Sequence, residues 1–283
     1  KAPAVMMKEC DLIIALGTSF THAFAGENYD QFNPSAKLIM VNIDSSEMTK
    51  PGLNVDIAIE MDLKQFISEL IDDPKVCKMN SKYSEWLKKC EKLKKDLPTV
   101  LPSFAGNPIN SYYFVECLNK HSKKNHIFVD DAGSANYVCS QGLKLREGQR
   151  EITSGAFYSM GVALPLAIGA AVTEPEAQVI AITGDGSIEL NIQELRTMSH
   201  NNLNIKLFVI NNGGYASIRK SQDDMVGGRY TDDQEVLNFS KVADAFDLPF
   251  HILDDFAKLD VKFPKILSVN GPALIEVVCD PKQ

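Results

Sequence analysis

The sequence predicts an α/β protein built in two parts. A partial, Rossmann-like parallel sheet comes first, and an α/β domain with helices on both faces of a parallel sheet follows. Three observations predict it. Short apolar, β-branched runs recur along the chain and stop at glycine or at a small polar cluster. Stretches with helical spacing lie between them. Residues 179–212 hold a whole strand–helix–strand unit, whose length implies a right-handed parallel crossover.

Residues 11–17 read as a buried strand that ends at Gly17, residues 37–44 as a second and residues 55–61 as a third. A helix is expected over 63–71. Three strands make a thin sheet, so residues 1–73 read as part of a domain. Residues 74–107 read as a linker with one amphipathic helix at 84–96 and then Pro98 and Pro102. The second domain spans 108–283. It opens with a helix at 110–120, capped by Asn110 or Ser111, and a strand at 126–129. Asp130-Asp131-Ala132-Gly133-Ser134 is a polar turn at that strand's carboxyl end. A helix rich in small residues is expected at 160–172, a strand at 179–183, and a helix at 191–201 with Ile192, Leu195 and Met198 on one face. A strand at 206–210, a helix at 239–246 and a last strand at 273–278 complete the pattern.

The crossover carries the chemistry. Gly184-Asp185-Gly186-Ser187 ends its first strand, and Asn211-Asn212 ends its second. Both clusters then lie at the carboxyl ends of neighbouring strands, where open α/β sheets bind ligands. The glycines allow close backbone approach, and Ser187 opens a helix whose free N–H groups suit a phosphate. Asp185 offers a carboxylate oxygen and Asn212 an amide oxygen, the hard donors that magnesium takes together with phosphate oxygens. The pattern therefore describes a site for a magnesium-bound diphosphate.

Composition narrows the class. The 283 residues suffice for two domains, and the net charge of −8 argues against nucleic acid as a partner. The lysines at 88, 89, 92, 94 and 95 alternate with apolar residues and read as the solvated face of a helix. No apolar stretch approaches the roughly twenty residues that span a membrane. The six cysteines form no Cys-x-x-Cys pair, which suits reduced thiols and a cytoplasmic location. The chain begins Lys1-Ala2-Pro3 and soon enters an apolar run, so a fragment of a longer polypeptide is expected.

Gly184-Asp185-Gly186-Ser187 followed at a distance by Asn211-Asn212 resembles the signature of thiamine-diphosphate-dependent enzymes. Ile152-Thr153-Ser154-Gly155, Ser159-Met160-Gly161 and residues 164–170 ahead of it, with Gln193-Glu194-Leu195 inside it, resemble the acetolactate synthase large subunits. Residues 10–17 and 37–45 resemble the second half of that family's central domain. The resemblance implies a partial central domain followed by the diphosphate-binding domain, without the N-terminal pyrimidine-binding domain. It implies thiamine diphosphate and Mg2+ as cofactors, with Asp185, Asn212 and the main-chain carbonyl of Gly214 on the metal. Gly184, Gly186 and Ser187 would hold the diphosphate together with Gly133 and Ser134, and Tyr215 and Ala216 would close over it. Met160 would wedge between the cofactor's two rings, and the Tyr158 carbonyl would hold its amino group.

A carboligase or decarboxylase acting on a 2-oxo acid follows from the same resemblance, assembled as a homodimer or homotetramer. A related lyase or transferase with another acyl donor, or a non-catalytic module that keeps the fold, are the alternatives. No catalytic acid or base is assigned here, because the proton-relay glutamate of that family belongs to the pyrimidine domain. Two departures stand out. Gly133 is followed by Ser134-Ala135-Asn136 where acetolactate synthases carry a Gln-His pair. Residues 17–22 replace the arginine and Asp-Asp-Arg run that contact FAD, so FAD is doubtful, and so is the acetolactate reaction itself. Arg219-Lys220-Ser221-Gln222 reads equally as a contact for an anionic substrate or as a surface segment.

Overall fold

A computed structural model describes residues 1–26, 28–73, 83–230 and 235–282. The chain divides into two compact units, Lys1–Pro98 and Thr99–Gln283.

The first unit holds β1 (Leu12–Leu16), β2 (Lys37–Asn42) and β3 (Ile57–Glu60), parallel and in that order. Ile13, Ala15, Leu38 and Met40 point to one face and pack with Phe20 and Met48. Leu12, Ile14 and Leu16 alternate with them and stay exposed. β1 is therefore covered on one face only, where the sequence read as a fully buried strand; a run that is apolar throughout does not say how many faces are covered. Asp62 caps the Leu63–Asp72 helix, accepting from the N–H groups of Lys64 at 2.9 Å and Gln65 at 3.1 Å. The Ser84–Asp96 helix, expected in a linker, packs in this unit against the Ala2–Glu9 helix and joins it through Lys89–Glu9 at 2.7 Å. Residues 74–82 of that expected linker, with Cys77, and the side chain of His22 lie outside the described residues.

The second unit is built on six parallel strands: β4 (His126–Asp130), β5 (Arg150–Ile152), β6 (Gln178–Gly184), β7 (Ile205–Asn211), β8 (Phe250–Leu253) and β9 (Ala273–Val278). Their order is β5-β4-β6-β7-β9-β8. Apolar side chains cover both faces. Phe128, Ile180, Ile182 and Phe208 pack with Phe114 and Phe263 on one side; Val179, Ala181, Leu207 and Val209 pack with Ala167, Leu195 and Met198 on the other. This two-sided burial is why β6 and β7 read as continuous apolar runs. Asn110 caps the Ser111–His121 helix as expected, accepting from Tyr112 N–H at 3.0 Å.

Some elements differ from their expected form. Gly133 and Ser134 open a helix, Gly133–Gly142, instead of lying in a turn. The small-residue helix runs Ala163–Thr173, leaving Met160 ahead of it. Gly161 has φ +79°, so no helix can run through it. The helix between β6 and β7 is broken into short pieces, of which Glu194–His200 is the last. Five cysteines (Cys10, Cys90, Cys117, Cys139 and Cys279) are free thiols. Among the described residues, no helix is long and apolar enough to cross a membrane.

Candidate functional site

The parallel register of β6 and β7 places Gly184 opposite Ile210, so the residues just beyond each strand meet. Asp185 Oδ2 accepts from the N–H groups of Asn212 at 3.0 Å and Gly214 at 2.7 Å. Its Oδ1 accepts from Gly186 N–H at 2.8 Å. The residue is only 3% exposed. Three backbone donors thus compensate the burial of its charge, as a buried carboxylate requires. Asn212, also buried, donates its side-chain amide to Ser134 Oγ at 3.2 Å. The end of β7 is thereby tied to the start of the Gly133–Gly142 helix beyond β4.

Beside this junction lies a cavity of about 240 Å3. Gly133, Ser134, Tyr158, Met160, Gly184, Asp185, Gly186, Ser187, Asn212, Tyr215 and Ala216 all line it, joined by Tyr137 and Ile218. Gly186 lies close under the Tyr215 ring: a Cβ there would come within 2.6 Å of it and force the ring to shift. Tyr158 and Tyr215 both hold positive φ, at +47° and +32°, uncommon for a non-glycine residue and frequent at binding sites. Gly214 does not line the cavity. Its carbonyl accepts from Arg219 Nη1, and Arg219 Nη2 reaches the carbonyl of Asn212 at 3.0 Å.

Asp131 is the residue that sequence reading passed over. It is fully buried at the end of β4, and its Oδ2 accepts from Thr183 Oγ1 at 2.8 Å, Ser187 Oγ at 2.6 Å and Gly161 N–H at 3.2 Å. Its Oδ1 accepts from Ala132 N–H at 2.7 Å. Burial pushes its pKa up, and these hydrogen bonds oppose the rise. Ser187 Oγ also accepts from Gly161 N–H at 2.8 Å. The Ser187 hydroxyl is therefore engaged beneath the cavity, and what the residue keeps for a ligand is its N–H. Asn191 completes the hold on Gly161 by donating to its carbonyl at 2.9 Å. Met160, next in the chain, is fixed in place by that grip.

The donor set suits a magnesium–diphosphate group. Among the described residues there is no cluster of three His, Cys, Asp or Glu side chains, so no all-protein metal cage exists. One carboxylate with amide and carbonyl oxygens is what magnesium uses when a substrate's phosphates supply further ligands. Asp185 Oδ2 already accepts two hydrogen bonds, which leaves Oδ1 as the oxygen with spare capacity.

Residues 131–277 match the C-terminal TPP-binding domain of thiamine pyrophosphate enzymes, and residues 1–70 match the central domain of the same enzymes. The chain is 30% identical to acetolactate synthase isozyme 1 large subunit of Escherichia coli (strain K12), over 98% of this chain and 49% of that protein. It is 31% identical to the acetolactate synthase large subunit of Cyanidium caldarium, over 96% and 47%. It is 30% identical to a probable acetolactate synthase large subunit of Methanocaldococcus jannaschii, over 100% and 49%. The chain spans about half the length of these relatives. From the central-domain match through the cofactor-domain match, the chain belongs to the thiamine pyrophosphate enzymes.

Proposed function

We propose that this chain is the central and cofactor-binding part of an acetolactate-synthase-like carboligase or decarboxylase of 2-oxo acids, and that it binds the magnesium–diphosphate end of thiamine diphosphate. The observation that carries the proposal is the meeting of Asp185 and Asn212 at one end of the cavity. On this reading residues 1–73 serve as the central domain, 74–107 as a linker and 108–283 as the cofactor domain.

Asp185 and Asn212 hold the metal, with the Gly214 carbonyl as the third protein ligand. The Ser187 N–H would receive the diphosphate together with Gly133 and Ser134, and Gly186, with no side chain, would let the phosphates approach the backbone closely. Met160, held through Gly161, would pack against the cofactor's rings, and the Tyr158 carbonyl would accept from its amino group. When bound, thiamine diphosphate supplies an electron-accepting ring for breaking the bond beside a 2-oxo acid's carbonyl. The proton-relay glutamate and the cover over the pyrimidine end come from a pyrimidine domain, in the whole protein or in a partner copy of a homo-oligomer. This chain by itself therefore binds cofactor weakly and turns over no 2-oxo acid at an enzyme-like rate. FAD has no part in the proposal.

Calorimetric titration tests it. Thiamine diphosphate should bind in magnesium, lose its affinity in EDTA, and give way to no binding when thiamine without phosphates is the ligand. Equal binding of thiamine and thiamine diphosphate, or indifference to magnesium, would overturn the assignment.

A further inference from the structure

β4 and β5 run parallel with Phe128 opposite Glu151, and Asp130 is two residues beyond Phe128. Strand alternation therefore puts the Asp130 and Glu151 carboxyls on one face of the sheet, within hydrogen-bonding reach of each other. Asp130 is fully buried, and Asp130 Oδ2 and Glu151 Oε1 are both shielded from solvent with no donor. Two such oxygens are costly side by side as carboxylates. A proton on Asp130 Oδ2, donated to Glu151 Oε1, satisfies both at once, while Asp130 Oδ1 accepts from Asn136 Nδ2 at 2.6 Å. No positive charge faces the pair from the elements around it. The Gly133–Gly142 helix brings the Cys139 thiol, whose pKa is pushed up by burial and by these carboxyls. β6 brings apolar Ile182 opposite Asp130. Asp131, next in the chain, is held by its own donors, and Arg150, beside Glu151, pairs with Glu174 at 3.7 Å.

The pair sits at the root of a segment that the cofactor reading uses. Asn136 Nδ2 also donates to Thr153 Oγ1 at 3.2 Å, and Ser154 Oγ accepts from Ser159 N–H at 2.9 Å. Between these contacts and Gly161 lie Tyr158 and Met160, which line the cavity. The hydrogen bonds on Gly161 fix the far end of the segment. Its near end hangs from β5, a three-residue strand at the sheet's edge that pairs with β4.

We propose that Asp130 and Glu151 are positioning residues for the cofactor-facing segment 153–160: a proton held between their carboxyls ties β5 to β4 and sets Tyr158 at the cavity, and loss of that proton loosens the segment. The proposal rests on the thiamine diphosphate reading. Its pH window follows from Asp130, whose pKa is pushed up to about 7 by burial, with Glu151 adding to the rise. The tie is therefore made below that pH and broken above it.

The experiment measures thiamine diphosphate affinity in saturating magnesium at pH 6 and pH 8, on either side of that value, for wild type, Asp130→Asn and Glu151→Gln. In each variant an amide N–H replaces the shared proton and does not titrate. Ionisation of the cofactor is common to all three proteins, so the ratio to the variants is read. Wild type should match them at pH 6 and bind at least about fivefold more weakly at pH 8, the low end of ordinary coupling between sites. Hydrogen exchange of the ligand-free wild type is read in parallel, as protection corrected for the intrinsic rate. The Ser159 amide should lose protection from pH 6 to pH 8 in wild type and keep it in both variants. An affinity ratio that does not change with pH, or Ser159 protection equal at both pH values in wild type, would overturn the proposal. The exchange result on wild type decides even if the variants fold poorly. Failure of wild type to bind thiamine diphosphate at pH 6 would overturn the underlying reading instead.

Discussion

Two neighbouring corners of the second unit's sheet bury carboxyl groups, and they solve the problem in opposite ways. At the ends of β6 and β7, Asp185 accepts three backbone N–H groups, and close by Asp131 accepts two N–H groups and two hydroxyls. At the ends of β4 and β5, Asp130 meets Glu151, and Asp130 Oδ2 and Glu151 Oε1 receive no hydrogen bond. Asn136 donates to the other oxygen, Asp130 Oδ1, at 2.6 Å. Burial, with Glu151 adding to it, pushes the Asp130 pKa up to about 7, against the pull of Asn136 and Thr153. The buried Cys139 thiol feels the charges of Asp130 and Glu151 and brings no positive charge. The contrast teaches that buried carboxylates here are kept by donors and not by cations. Where donors converge, the carboxylate oxygens are held in place; at Asp130, where one oxygen receives none, burial raises the pKa.

The comparison breaks most visibly at Asp131. Asp131→Ala should lower stability by about 3–5 kcal/mol, because it leaves buried donors on Ala132, Gly161, Thr183 and Ser187 without an acceptor. Denaturant titration measures it, and a loss below about 1 kcal/mol would show that water replaces the carboxylate.

Gly161→Ala tests the same network from its other end. Its φ of +79° and a Cβ only 2.7 Å from that of Leu190 disfavour any side chain. The expected loss is about 1–3 kcal/mol, together with weaker thiamine diphosphate binding as Met160 shifts. Unchanged binding in a folded variant would separate Met160 from the cofactor.

The smallest effect belongs to the other corner, and pH reveals it. A carboxyl whose pKa is raised on folding binds its proton more tightly in the native state. The stability this confers is present below the ordinary carboxylate pKa of 3.8 and is lost as pH rises toward about 7. Asp130→Asn removes the titration. Its melting temperature relative to wild type should therefore climb between pH 5 and pH 8, and a flat difference would mean that the Asp130–Glu151 contact does not hold in solution.

Much of this arrangement was legible in the sequence, for a physical reason. Asp185 and Asn212 end consecutive strands of one crossover, so chain order alone makes them neighbours. Gly133 and Ser134 follow β4, which pairs with β6, and they arrive at the cavity by the same rule. The Asp131 network was not legible, because its donors come from residues 132, 161, 183 and 187, and no local pattern links them. β5, only Arg150–Ile152, is too short and too charged to read as an apolar run. The Leu259–Ser268 helix hides behind Pro264 within it. Gly214 was placed on the metal by resemblance; that its carbonyl meets Arg219 depends on a side-chain contact that no spacing encodes.

The central claim is that the Asp185 corner, and not the Asp130 corner, takes a magnesium-bound diphosphate. Titrating thiamine diphosphate in excess magnesium into wild type, Asp185→Ala and Asp130→Asn, at a mildly acidic pH where Asp130 is protonated, tests it directly. Wild type and Asp130→Asn should bind alike, while folded Asp185→Ala should give no heat above background. Wild-type affinity in Asp185→Ala would contradict the account.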